Sequence, residues 1–258
     1  MLSCWRRVLA RIKSPPKLIP EPLWRLTLRN YPFLAALALE DQVQLHKLAS
    51  QFLAEKEFSG ANDLVVSDEI AVAIAAQACL PVLHLGLKYY DGFKGIVVHP
   101  GAMLARREVT DAAGVVHRYS EALIGEAMEG GPVTLSWQDV ARSGEAAAKG
   151  YNVVIHEVVH KLDMRDGAPN GCPPLPSRSA KAKWQGVMQA SYSAFKEQLV
   201  MAERFGGEVP WLDAYGATSP AEFFAVASEA YFVNRPRFEQ EFSLLTELFD
   251  LFFKGKST

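Results

Sequence analysis

In the segment Val153-Val-Ile-His-Glu-Val-Val-His-Lys-Leu-Asp163, two histidines four residues apart, His156 and His160, enclose a glutamate, Glu157. On a helix, residues four apart lie on one face. Both imidazoles can therefore present a nitrogen to one metal ion at ~2.0–2.1 Å. Glu157 sits one position round the helix. It is too offset to be a third ligand on that arc, yet near enough to take a proton from a water at the metal. The apolar flanks, Val153 to Ile155 and Val158 to Val159, predict an almost wholly buried helix. Such a helix does not carry two histidines and a glutamate without partners, because an unpaired buried polar group costs about 1–3 kcal/mol. The competing reading is a pair of hydrogen-bonded core histidines.

A zinc site needs a third protein ligand. The continuation HExxHxxGxxH fails, because Asp163 stands at its glycine position and Asp166 at its last histidine. Asp166 as an aspartate version of that arrangement lacks the glycine that the sharp turn requires. The remaining source is Ser219-Pro-Ala-Glu-Phe-Phe-Ala-Val-Ala-Ser-Glu-Ala-Tyr231, where Glu222 and Glu229 share a face of an apolar helix. Spacing does not choose between them, and Ser219 to Glu222 also reads as a capping box with proline at the first helical position. Asp163, on the same helical face as His160, is placed to hydrogen-bond a ligand imidazole and fix its tautomer. A salt bridge or loop cap is its ordinary alternative. Glu229 is the other candidate for that supporting role.

These residues need helices to hold them. Apolar spacing predicts helices over about 39–57, 68–80, 148–162, 180–205 and 219–233, and a last one after Pro236. Short strands are expected at Gly95–His99, Val115–Ser120 and Val133–Trp137, the last as a cleft wall that could pair with an extended substrate backbone. Many helices, few strands and no regular βαβ alternation indicate an α+β fold. The four prolines of 14–24 and the basic end before them predict an extended N-terminal segment over 1–34, followed by one domain over 35–258.

Bulk properties narrow the function. With 27 basic and 29 acidic side chains the formal charge is 27 − 29 = −2, which gives no reason to expect nucleic-acid binding. The three cysteines, Cys4, Cys79 and Cys172, have neither CxxC spacing nor an even number, so reduced thiols in a cytoplasmic protein are expected. The apolar run Ile70–Leu87 is broken by Gln77, Pro81 and His84, which argues against a transmembrane span. The basic N-terminus lacks the unbroken apolar core of a signal peptide.

Beyond HExxH, the chain carries Leu80-Pro-Val-Leu-His-Leu-Gly-Leu, Tyr90-Asp-Gly-Phe, Gly131-Pro-Val-Thr-Leu-Ser-Trp137, Asp213-Ala-Tyr215 and Ser219-Pro-Ala-Glu-Phe-Phe-Ala-Val-Ala-Ser-Glu229. On these stretches, which span most of residues 35–250, it resembles the Mlc titration factor family, a group of bacterial gluzincins. The resemblance implies a zincin-like fold, zinc (Zn2+) on His156, His160 and Glu222, and Glu157 as the catalytic residue. It also implies a place for His117 near the metal, aminopeptidase-type hydrolysis of peptides, and binding of the glucose-responsive repressor Mlc. Gluzincins of similar arrangement use a tyrosine ahead of the glutamate helix to stabilise the oxyanion, which makes Tyr215 the candidate here. Two rival readings remain at this point. One is a non-catalytic repressor-binding protein with a structural or vestigial zinc site, and the other is a hydrolase acting on something other than peptides.

Overall fold

The computed structural model describes residues 16–110, 116–123, 125–127 and 130–255; the side chains of 103–110 and 116–123 lie outside the described set. The chain opens with α1 (Glu21–Asn30), α2 (Pro32–Ala35), α3 (Leu39–Glu55), β1 (Glu57–Gly60) and α4 (Asp68–Cys79). Five strands follow: β2 (Gly95–His99), β3 (Met103–Thr110), β4 (Val116–Leu123), β5 (Gly125–Ala127) and β6 (Val133–Ser136). The remainder is helical: α5 (Trp137–Ala146), α6 (Val153–Asp163), α7 (Arg178–Phe205), α8 (Pro220–Val233), α9 (Arg235–Glu241) and α10 (Ser243–Phe253). A helical majority around a small sheet agrees with the α+β expectation.

The sheet has the order β1-β2-β6-β5. β1, β2 and β6 run parallel, and β5 turns back antiparallel to β6. β3 and β4 form a separate antiparallel ribbon. Parallel strands need a long crossover, and α4 supplies it between β1 and β2. The chain near Glu57, expected to end a helix, is β1 instead. It pairs Glu57 with Gly95 through Gly60 with Val98. Val133–Ser136 is a strand, as expected, but β2 and β5 occupy both of its ladder edges, so its backbone is not open to a substrate. The outer place on that side of the sheet belongs to β5.

The expectation of extended chain up to residue 34 is corrected. Pro20 precedes α1 and Pro22 lies in its first turn, where a fixed φ and a missing N–H cost nothing. Trp24, Tyr31 and Leu34 are buried in the same apolar cluster as Leu45 and Phe52 of α3 and Ile74 of α4. From Glu21 onward the described part of this segment is therefore helical rather than extended.

Three further differences have local causes. α5 was not anticipated; Ser136 caps it, accepting from the Asp139 amide and bonding the Asp139 carboxylate. α6 starts at Val153 rather than near Ala148, because Gly150 takes φ +76° and Asn152 caps the new helix with its Oδ1 3.0 Å from the Ile155 amide. The last predicted helix is two, α9 and α10, parted at Phe242.

The core spans the molecule, from Ile19 to Phe253, and α6 and α8 cross within it. Among the described residues, no helix is long and apolar enough to cross a membrane. Cys79 and Cys172 are buried free thiols; Cys4 lies outside the described residues.

Candidate metal centre

α6 and α8 position every side chain of the site. Asn152 starts α6 so that His156 and His160 face α8, while Val154, Ile155, Val158 and Val159 fill the core behind them. Ser219 starts α8, its Oγ accepting from the Glu222 amide at 3.1 Å. The capping-box alternative is thus half realised. The Glu222 backbone serves the cap, but its carboxylate turns away to the imidazoles.

Glu222 Oε2 lies 3.0 Å from His156 Nε2 and 3.2 Å from His160 Nε2. The two Nε2 atoms are 3.2 Å apart. Their rings meet edge to face, with centroids 4.8 Å apart. These three residues are the one group of potential metal ligands found among the described residues.

The triangle fits a cation. Ligand atoms bonded at ~2.0–2.1 Å on the corners of a tetrahedron sit roughly 3.3–3.4 Å from one another. The observed edges of 3.0–3.2 Å are close to that spacing. The donor chemistry agrees: two imidazole nitrogens and a carboxylate oxygen, all able to present lone pairs, converge on one point.

Glu229, seven residues on, holds the other side of the same ring: its Oε1 is 2.7 Å from His156 Nδ1. Its Oε2 accepts from the Asn152 amide. An acceptor at Nδ1 keeps a proton there, which makes Nε2 the nitrogen left to bind a cation once its own proton toward Glu222 is displaced. The two glutamates that spacing could not separate therefore divide the work, one on each nitrogen of His156.

Glu157 is buried beside this cluster, 5% exposed. Burial pushes its carboxyl up to about 7; His156 opposes the shift, and the Glu222 and Glu229 carboxylates add to it. For Glu222, burial also acts upward, but the bonds from His156 and His160 overcome it and hold the carboxyl down at about 2. Burial disfavours charge on His156, and the surrounding carboxylates, Glu229 first, reverse this and raise it. Glu229 itself is raised by burial. One carboxylate kept ionised and one poised near neutrality is the division that acid–base work at a cation needs.

Tyr215 lies in the short turn Ala214–Ala217 ahead of α8, about half exposed, its ring centroid 6.1 Å from that of His156. Asp163 does not take up a ligand imidazole. Its Oδ2 accepts from the amides of Asn170 and Gly171 at 2.8 and 2.7 Å, and its Oδ1 from Cys172 at 2.9 Å. This is the loop-cap alternative, and it ties the chain after α6 to the base of α8, where the Gly171 backbone packs on Pro220. Asp166 stands outside the cluster, exposed, with Lys181 3.9 Å away. His117 lies on β4 in register with Val109, and its side chain is outside the described residues.

Three contributors were missed by sequence reasoning. Asn152 could have been found as a helix-start signal. Gln77, read only as a polar interruption, bonds Asn152 across 75 residues. Gly125 of β5 approaches Glu157 so closely that a Cβ there would overlap the carboxylate, a proximity no local pattern encodes.

The sequence profile of a family described as glucose-regulated metallo-peptidase M90 matches residues 3–254. Mlc titration factor A of Serratia proteamaculans (strain 568) is 37% identical over 224 residues, covering 86% of this chain and 83% of that protein. Mlc titration factor A of Yersinia pestis (strain Pestoides F) is 34% identical over 226 residues, covering 87% and 82%.

Proposed function

Because the chain belongs to the glucose-regulated metallo-peptidase family M90, we propose that it is a zinc-dependent peptidase of the gluzincin type, with His156, His160 and Glu222 holding the ion. The observation that carries this is the triangle of two Nε2 atoms and one carboxylate oxygen with edges of 3.0–3.2 Å, beside a buried glutamate. Zinc rather than a harder cation follows from the nitrogen-rich donor set. The antiparallel edge strand β5 beside α6 supports a zincin-like arrangement. The apolar cluster running from Ile19 to Phe253 supports one domain that begins upstream of α1.

A bound zinc ion supplies Lewis acidity, making water more acidic and polarising a peptide carbonyl. The chain's own residues do the rest. Glu157 accepts the proton of the attacking water on its carboxylate and returns it to the leaving amine. Glu229 fixes the His156 ring and its tautomer. The Tyr215 hydroxyl donates to the oxyanion as it develops. His117 is a further candidate near the metal, tested by the zinc affinity of His117→Ala. Aminopeptidase-type cleavage, a cytoplasmic location and binding of an Mlc-like repressor complete the proposal; the relatives' name supports the last.

The test is zinc analysis and peptide hydrolysis by wild type, Glu157→Gln, His156→Ala and Glu222→Ala. Glu157→Gln is expected to keep zinc and lose roughly 100-fold or more in kcat. The other two are expected to lose zinc. A Glu157→Gln variant that hydrolyses peptides normally refutes the role given to Glu157. Wild-type protein that binds the repressor and zinc but cleaves nothing establishes the rival, a regulatory binding protein.

A further inference from the structure

Behind the ligand helix runs a chain of buried polar groups that the chemistry above does not use. Gln77 sits on α4, otherwise apolar, at 0% exposure, and Asn152 is equally buried. Gln77 Nε2 donates to the Ala73 carbonyl at 3.0 Å, which turns its Oε1 outward to accept from Asn152 Nδ2 at 2.7 Å. With its NH2 so occupied, the Asn152 amide must present Oδ1 to the Ile155 amide. The Asn152 backbone serves the site on both sides: its N–H donates to Glu229 Oε2, and its carbonyl accepts from the His156 amide at 3.0 Å. Every donor meets an acceptor, so the direction of the whole relay is fixed, down to the proton on His156 Nδ1.

Helix capping does not explain this arrangement. A cap needs one side-chain oxygen, which serine, threonine or aspartate would supply. Only asparagine caps with Oδ1 while donating from Nδ2, and only Gln77 receives that donation. At position 77 leucine would suit the apolar run of α4 but would leave the buried Asn152 Nδ2 without its acceptor.

We infer that Gln77 and Asn152 are positioning residues of the metal centre: together they set the Glu229 carboxylate, and through it the orientation and tautomer of the His156 imidazole. The inference rests on the metallopeptidase reading and adds to it two residues that are not ligands, Asn152 at the start of α6 and Gln77 on α4. Positioning of this kind commonly changes metal affinity 10–100-fold.

The experiment measures the zinc dissociation constant of the full chain by chelator competition, and the melting temperature of the same proteins without metal. The variants are Gln77→Leu, Asn152→Asp and, as a matched core control on α4, Ile74→Val; Ile74 is also 0% exposed. Asn152→Asp retains the capping oxygen and loses the donor to Gln77, but adds a buried charge that Gln77→Leu does not carry. Gln77→Leu and Asn152→Asp are each expected to weaken zinc binding about tenfold or more. Ile74→Val is expected to lower the melting temperature and leave the zinc constant unchanged. Should Asn152→Asp fail to fold, Gln77→Leu against Ile74→Val decides alone. Equal zinc constants for Gln77→Leu and wild type overturn the inference while the metallopeptidase reading stands. Wild-type protein that binds no zinc overturns both.

Discussion

Replacing Glu229 by glutamine tests the geometry most sharply, because it changes one atom's chemistry at constant volume. The glutamate accepts two bonds, from the Asn152 amide and from His156 Nδ1, in a place only 2% exposed. Glutamine offers one oxygen and one NH2. The Asn152 amide is fixed by the helix start and cannot turn, so the oxygen goes to it and the NH2 faces Nδ1. Two outcomes are open to the ring. It can accept at Nδ1 and carry its one proton on Nε2, the nitrogen a cation would need, or it can keep Nδ1–H against another donor. The second leaves a buried group mispaired at about 1–3 kcal/mol, and the first must be converted to it before Nε2 can bind a cation. At 1.4 kcal/mol per decade, this is roughly a 5–150-fold loss of zinc affinity, overlapping the usual effect of such supporting carboxylates. The assay is chelator competition on purified full chain, with circular dichroism to verify the fold. A Glu229→Gln variant with the wild-type zinc constant would show that something else orients His156 and would refute the reasoning.

Other substitutions separate the remaining roles. Gly125→Ala places a methyl against the Glu157 carboxylate and should lower kcat roughly 100-fold with zinc still bound; unchanged kcat would mean Glu157 moves aside freely. Tyr215→Phe should cost about 100–1,000-fold in kcat, with zinc affinity and melting temperature unaltered, and an effect confined to a raised KM would assign the tyrosine to substrate binding instead. Asp163→Asn sets an NH2 among three amide donors and should destabilise the fold by about 1–3 kcal/mol in denaturant titration. Its zinc affinity should hold, and a large loss there would restore Asp163 as a support of the ligands.

What could be read from the sequence was what local spacing encodes. His156 and His160 are one helical turn apart, and the valines around them leave no face but the inner one. Glu222 and Glu229 stand out as the two acids in a helix made mostly of alanine, phenylalanine and valine. The parts that stayed hidden depend on distant partners or on very short elements. β5 has three residues and none of the β-branched kind, so nothing in Gly125–Ala127 announces a strand. The run Ala146–Lys149 has helical composition, and only Gly150 and Asn152, together, reset the start of α6. The prolines near residue 20 read as extended chain, although proline in a first turn is equally compatible with a helix beginning there.

The spacing of the two acids on α8 carries a consequence of its own. Seven residues advance a helix ~10.5 Å and almost two full turns, so Glu222 and Glu229 point the same way from well-separated levels. His156 projects between those levels and is met on Nε2 by one carboxylate and on Nδ1 by the other. The side-chain length of glutamate is what lets both reach a single ring from α8. The proposed metal ligand and the proposed support of a second ligand thus share one rigid element. Any slide or rotation of α8 against α6 disturbs both contacts at once, rather than loosening one while the other compensates. The site is thereby coupled to the packing of the helix pair, and that packing is fully buried: Val154, Ile155, Phe223, Phe224, Ala225 and Ala227 are all 0% exposed. Precision at the metal comes from the core that the same two helices build.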